Sequence, residues 1–339
     1  MENKKILVSG AGGIGGIVAS ILKSKGFDVE IICKYPAYAE KIKNEGLKVT
    51  GILGTFKVKM PAYASASEIN KKYDIVLHST KAYDVIESTK NILHVFTENT
   101  YVVSLQNGIC EEAIASVIGK DKVIGCIVGW GATMLKPGEL EMTSKGEFVI
   151  GNIENKEDNR LNEIKEIFEN ILPVRISTNI LGYLYSKLVI NSCITSLGAI
   201  GGIRVGKMLK RHKVRKIFIC IINEAVNVAN KMNLVIEPYS GKFDYYKFVR
   251  GNGFLSNIRR HLLIMFIGFK YRRLKSSSLQ SLERGGKTEV DYLNGYISSK
   301  GKELNIPTPV NDLIIKTIKE IEEGKRIIGT GNYRLFFTI

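Results

Sequence analysis

Apolar positions in the first 170 residues change period several times. Lys4-Lys5-Ile6-Leu7-Val8-Ser9 is a run of strand length, and Gly15 to Lys25 follows with Ile17, Val18, Ile21 and Leu22 at helical spacing before a stop at Gly26. Asp28 to Cys33 reads as a second strand. Further strands are predicted at Asp74 to His78, Tyr101 to Leu105 and Val123 to Val128, with helices around 36–44, 82–95 and 110–118 between them. Strands alternating with helices imply right-handed crossovers and a parallel sheet. After Pro137-Gly138, Glu139 to Met142 and Glu147 to Gly151 predict a closing hairpin, and Asn159 to Ile171 a final helix. From Asn179 the pattern is almost entirely helical. The expected division is therefore a parallel-sheet domain over 1–178 and an all-helical domain over 179–339, with the boundary near Thr178.

Length and composition agree with two globular domains. The chain has 339 residues, where one domain usually takes ~100–200, and 45% apolar with 24% charged residues excludes a disordered or collagen-like chain. Its longest purely apolar run, Leu262 to Phe269, falls well short of the ~20 residues that cross a hydrocarbon core. No transmembrane segment is predicted. Met1-Glu2-Asn3-Lys4-Lys5 leads directly into a strand without the pattern of a signal peptide, so the expected location is the cytoplasm. Cys33, Cys110, Cys126, Cys193 and Cys220 are odd in number and lack C-x-x-C spacing, so they read as buried, reduced thiols. His78, His94, His212 and His261 form no ligand spacing, and no metal is expected.

The formal charge of +16 lies wholly in the second half, with 22 basic and 22 acidic residues before Thr178 inclusive and 27 against 11 after it. Such a field favours anionic partners. On charge alone nucleic acid, anionic lipid and a phosphorylated small molecule all fit, as does a plain solvated basic face. No groove-reading motif accompanies it, so nucleic acid is not an expected partner.

Candidate chemistry begins at Gly10-Ala11-Gly12-Gly13-Ile14-Gly15, a G-x-G-x-x-G set between a strand and a helix. There Gly10 permits a tight turn, Gly12 lets a pyrophosphate approach the backbone, Gly15 allows close helix packing, and the phosphates meet the helix N-terminus. The first domain thus reads as Rossmann-type. NAD-binding proteins carry an acid about 20 residues later, at the end of the second strand. Here Lys34 follows Cys33, and Glu30 comes four positions too early, so NADP is expected over NAD. Lys81 offers a second cation at the same sheet edge; the plain alternative for either lysine is a solvated loop residue.

Later motifs extend the pattern: Gln106-Asn107-Gly108 after a strand, Tyr185-Ser186-Lys187-Leu188-Val189-Ile190-Asn191 at the start of the helical half, Ser276-Ser277-Ser278-Leu279-Gln280, and Lys287-Thr288-Glu289-Val290-Asp291-Tyr292-Leu293-Asn294-Gly295. In this order the set resembles the ketopantoate reductase (2-dehydropantoate 2-reductase) family over nearly the whole chain. The resemblance implies a Rossmann domain plus a helical domain, with NADPH and substrate held in the cleft between them. It also implies roles for individual residues. Lys187 matches the catalytic lysine, Asn191 its partner one turn on, Asn107 the asparagine between nicotinamide and substrate, and Ser277 a substrate-carboxylate contact. Glu289 matches a glutamate near both ribose and substrate, and Ala132 a backbone contact to the cofactor. Thr195 and Val205 stand where the family usually carries further asparagines, and Thr195 is retained as a candidate substrate contact.

The residue types agree with that chemistry. Hydride delivery to a ketone develops negative charge on oxygen, which a positioned ammonium stabilises and then protonates. Lys187 suits this on an otherwise apolar helix, where a lysine needs a reason; no G-x-S-x-G element competes. The expected activity is NADPH-dependent reduction of 2-dehydropantoate to (R)-pantoate, feeding pantothenate and coenzyme A synthesis. The alternatives are reduction of another branched 2-oxo acid or a non-catalytic NADP-sensing module. The basic-apolar segment Ser256 to Lys275 reads as a core element or homodimer interface in preference to a peripheral membrane contact.

Overall fold

The computed structural model describes residues 4–337, and the chain divides into two units, residues 1–184 and 185–339. The first holds β1 (Lys5–Ser9), α1 (Gly13–Ser24), β2 (Asp28–Ile32), α2 (Pro36–Asn44), β3 (Leu47–Gly51), β4 (Phe56–Val58), β5 (Ala62–Tyr63) and β6 (Tyr73–His78). It continues through α3 (Val85–Asn91), β7 (Phe96–Ser104), α4 (Glu111–Ile118), β8 (Val123–Val128), β9 (Gly131–Lys136), β10 (Glu139–Ser144), β11 (Phe148–Asn152), α5 (Arg160–Phe168) and β12 (Val174–Ile176). The division between units falls inside α6 (Ile180–Gly201). Its first turn lies on the sheet of the first unit: a Cβ added at Gly125 or Gly151 would come within 2.9 or 2.7 Å of Ile180.

Eight strands form the main sheet in the order β12-β11-β8-β7-β6-β1-β2-β5, parallel except where β11 meets β8. Buried aliphatic residues on both faces, such as Ile6, Leu7 and Val8 of β1, are what a sheet covered on both sides requires. Because β2 and β6 flank β1 on opposite sides, the chain reverses direction across the sheet at β1, the place where such folds bind ligands.

One expected pairing is corrected. Glu139–Ser144 pairs with Gly131–Lys136 around the Pro137-Gly138 turn, in a separate four-stranded sheet, while Phe148–Asn152 joins the main sheet. Gly138 at φ +90 supplies the tight reversal, so the hairpin partner precedes the turn. The cysteine reading also needs correction, since Cys220 is exposed and the other four are buried.

The second unit is helical: after α6 come α7 (Val205–Leu209), α8 (His212–Lys231), α9 (Tyr245–Val249), α10 (Phe254–Lys270), α11 (Ser277–Glu283), α12 (Asn294–Glu303) and α13 (Pro309–Glu322). By length and composition α6 alone among the described helices is apolar enough to cross a membrane, but 72% of that window is buried inside the protein. It is the core helix of the second unit. In α10 the apolar middle is not packed into the core of its own unit, the first of the two places expected for it. The buried stripe is Arg260, Ile264 and Gly268, and Gly268 lets Leu209 of α7 approach, whereas Leu262, Met265, Phe266 and Phe269 are exposed.

Two buried ionisable groups stiffen the first unit. Burial acts to raise the pKa of Glu30 on β2, but hydrogen bonds from Lys71, Tyr73 (2.5 Å) and Tyr63 (2.9 Å) outweigh it and hold the carboxyl below its ordinary range. His78 is buried at the end of β6 against Ser88 and Thr89, each 3.2 Å away, and burial pushes its pKa from 6.5 down to about 4. The folded chain keeps this imidazole neutral while the unfolded chain protonates it below 6.5, so His78 costs stability as pH falls from 6.5 toward 4. Urea unfolding between pH 7 and 5 should show a decline approaching ~1 kcal/mol per pH unit at the acid end, and His78→Gln should remove most of that slope.

Candidate functional site

The parallel strands deliver Gly10 to Gly15, Lys34, Lys81 and Asn107 to one edge of the sheet, because each follows the carboxyl end of β1, β2, β6 or β7. Backbone hydrogen bonds lace these ends together: Gly10 donates to Ile32, Ser79 to Ser9 and Leu105 to His78, at 3.0, 2.8 and 2.8 Å. Gln106 adds a side-chain bond from Nε2 to the Thr80 carbonyl at 3.0 Å. Asn107, half-buried, follows directly.

The three motif glycines answer to different constraints. Gly10 has φ +113, and a Cβ there would lie 2.7 Å from the Ser79 carbonyl. At Gly15 a Cβ would fall 2.1 Å from the Gly10 oxygen. Gly12 is different. A Cβ on it would meet no protein atom within 4 Å, and its own φ of −75 suits any residue, so the fold makes no demand for glycine there. Space kept open beside a helix N-terminus fits a phosphate: α1 has no acid in its first turn and no side-chain cap at Gly12. Ala132 on β9 closes one side, its Cβ standing 3.3 Å from where one on Gly13 would be. Tyr38 steadies the other by donating to the Ala11 carbonyl at 3.1 Å.

Lys34 and Lys81 are both exposed. Lys34 lies 3.6 Å from Asp84, an acid that sequence reasoning missed because nothing in its spacing links it to the end of β2. Glu30 is buried and held by Lys71 and two tyrosines.

In the second unit α6 carries one open stripe. From Leu184 to Ile200 every residue is buried except Lys187 and Asn191, one turn apart, with Thr195 the next position along the same face. Thr195 returns its hydroxyl to the Asn191 carbonyl at 2.8 Å. Its own carbonyl accepts from Ser276, 3.2 Å away, whose hydroxyl also caps α11. Ser276 is thus the anchor of that segment, and the adjacent Ser277 is the exposed member. Glu289 is buried just before the short turn Val290–Tyr292. Glu322 fixes this stretch by accepting from the Thr288 amide and hydroxyl, both at 2.7 Å. Val205, where the family resemblance implies an asparagine, is wholly buried at the start of α7.

Residues 6–155 match the family described as Ketopantoate reductase PanE/ApbA, and residues 179–322 match its C-terminal counterpart. The 2-dehydropantoate 2-reductase of Pyrococcus horikoshii is 30% identical over 97% of this chain and 99% of its own. The chain belongs to the ketopantoate reductase family. It is therefore an oxidoreductase with a nicotinamide cofactor and a small-molecule substrate. The enzyme of the same name from Pyrococcus abyssi is 29% identical over 95% of this chain and 100% of its own. Among solved structures, a PanE/ApbA family ketopantoate reductase from Ralstonia eutropha superposes with a TM-score of 0.81 at 25% identity, covering 94% of this chain and 99% of that one. A D-mandelate dehydrogenase bound to NADH and anilino(oxo)acetate shares the fold at TM-score 0.81 and 23% identity, with the same coverage.

If the turn at Gly10 to Gly15 holds the dinucleotide, its glycines should separate folding from binding. Gly12→Val should leave the melting temperature unchanged while weakening dinucleotide affinity at least tenfold in a fluorescence titration. Gly15→Ala should instead lower stability by about 1–3 kcal/mol through backbone overpacking.

Proposed function

We propose that the protein reduces 2-dehydropantoate to (R)-pantoate with NADPH, using Lys187 as general acid. The observation that carries this reading is the pair Lys187 and Asn191, the open positions on an otherwise buried stretch of α6. Bound nicotinamide supplies the hydride to the 2-keto carbon. Lys187 stabilises the negative charge growing on the carbonyl oxygen and gives it a proton. Asn191 orients the substrate, Ser277 takes its carboxylate, and Asn107 and Glu289 serve the reacting end from the loops after β7 and before α12. Gly10 to Gly15 and Ala132 cradle the pyrophosphate.

The preference for NADPH rests on Lys34, helped by Lys81. Asp84 tempers it, but an exposed ion pair is worth ~1 kcal/mol or less, and a 2′-phosphate brings more negative charge than the single carboxylate it would displace. The substrate assignment has a second reading. Thr195 and the buried Val205 replace groups that would have contacted substrate, which favours a related branched 2-oxo acid.

Two experiments test this. NADPH oxidation should be fastest with ketopantoate in a panel of 2-oxo acids, and Lys187→Ala should lose about 10²–10⁴-fold in kcat with cofactor affinity intact; an undiminished rate in a folded variant overturns the mechanism. NADPH should bind more tightly than NADH, Lys34→Asp should reduce or reverse that preference, and Asp84→Asn should strengthen it. Equal affinities in the parent would remove the assignment.

A further inference from the structure

His78 ends β6, just before Lys81, and its wholly buried imidazole touches hydroxyl groups at both of its nitrogens. Nε2 lies 3.2 Å from Ser88 Oγ and 3.2 Å from Thr89 Oγ1, both on α3. Each of those hydroxyls has a single proton and a backbone carbonyl close enough to take it: Ser88 donates to Asp84 at 2.6 Å and Thr89 to Val85 at 2.7 Å. Carbonyls only accept, so toward His78 both hydroxyls act as acceptors. Nε2 therefore carries the ring proton, and in an imidazole kept neutral by burial Nδ1 is left as the acceptor. Facing Nδ1 at 3.4 Å is Thr80 Oγ1, whose oxygen takes a hydrogen bond from Gln106 Nε2 at 3.2 Å. Donation thus runs one way, from Gln106 through Thr80 and His78 to Ser88, Thr89 and the backbone that opens α3.

We infer that His78 is a positioning residue for this edge of the sheet, its Nδ1 arm steadying the Gln106-Asn107 turn and its Nε2 arm the Asp84 end of α3. The inference rests on the functional reading above, which gives Asn107 the reacting end and Lys34 the cofactor phosphate. Gln106 is buried and also donates to the Thr80 carbonyl at 3.0 Å, so Thr80 holds it at two points, and Asn107 follows at once. Asp84 stands 3.6 Å from Lys34, and its carbonyl is where the Nε2 arm ends. An apolar residue at position 78 would leave the Ser88 and Thr89 protons satisfied on their carbonyls, so the fold of α3 makes no demand for imidazole there. What imidazole adds is a rigid plane with a donor on one edge and an acceptor on the other, which fixes the two loops relative to each other.

Nitrogen-15 spectra of the full chain labelled at histidine test the tautomer without substrate: His78, assigned by its loss in His78→Gln, should show a protonated Nε2 and a bare Nδ1. The two arms are separable, because a glutamine amide reaches the place of Nε2 and an asparagine amide the place of Nδ1. His78→Gln should lower kcat at least about fivefold toward whichever 2-oxo acid the parent reduces, with the NADPH dissociation constant within about twofold. His78→Asn should do the reverse, leaving kcat within about twofold and, by releasing Asp84 from Lys34, tightening NADPH relative to NADH about two- to fivefold in a fluorescence titration. Thr80→Val should reproduce the kcat loss, Thr80→Ser should not, and Thr80→Val added to His78→Gln should cost nothing further. If His78→Gln loses its fold by circular dichroism, the Thr80 pair decides the Nδ1 arm. A protonated Nδ1, equal kcat losses in the Gln and Asn variants, a cofactor preference unmoved by His78→Asn, or Thr80→Val at the parent rate overturns the inference. A parent that reduces no 2-oxo acid would instead remove the functional reading, and the spectra and the cofactor titrations would still decide the role of His78.

Discussion

Backbone packed against backbone at Gly10, Gly15 and Ser79 is the constraint on which the glycine-turn end of the first unit depends. With no side chain at Gly15, helix α1 starts directly over the turn that leaves β1, and the end of β6 lies in contact with both. That closeness points the first amides of α1 into the space beside Gly12. It also lets the ends of β1, β2, β6 and β7 be joined by main-chain hydrogen bonds, so the residues after each strand are held in fixed relation. A side chain at either glycine would separate the layers and dissolve the arrangement, and no nearby flexible group can yield in its place.

The second unit depends on a buried polar chain. Glu224 of α8 accepts from the amides of Val310 and Asn311 at 2.8 and 3.0 Å, so a carboxylate from one helix caps the N-terminus of another. Asn311 also donates to Glu224 and accepts from Asn294 at 2.8 Å, and Asn294 in turn bonds Ser192 and Ser196 of α6. Burial raises the pKa of Glu224 despite these donors, a sign of how far from water the chain of groups lies. Its effect is positional. It holds α6, α8, α12 and α13 in one register, and the Glu289 segment enters α12 only five residues before Asn294.

How much of this was legible in the sequence follows the range of the interactions. Local signals, namely the apolar runs of β1 and β8, the glycine stops and the G-x-G-x-x-G between strand and helix, announced the sheet and the tight turn at its edge. Pairing partners were less visible: β9 lacks a continuous apolar run, and its pairing with β10 depends on a turn that equally allows a partner on its other side. Short strands at 47–51, 56–58 and 62–63 leave no signal because two to five mixed residues carry little periodicity. Of the proposed site residues, Lys187, Asn191, Ser277 and Glu289 are suggested by motifs. Asp84 and Ser276 act through space or through a cap, and neither leaves a motif of its own.

Composition misleads most where burial decides the outcome, and helices α6 and α10 show it from opposite sides. α6 is apolar on nearly every face and would pass for a membrane span, yet it is enclosed by its own protein. α10 is less apolar overall and carries charge at both ends, yet its apolar residues are the ones left outside. The reason is which face the neighbouring helices can approach: Gly268 and Ile264 give α7 a close surface, while the bulky phenylalanines would hold it away. Packing distance, set by the smallest side chains, thus chose the buried face against the hydrophobic preference of the larger ones. The same rule explains Lys187. On a helix surrounded by protein, an ammonium needs an opening in the packing, and from Leu184 to Ile200 α6 has one along the stripe shared with Asn191.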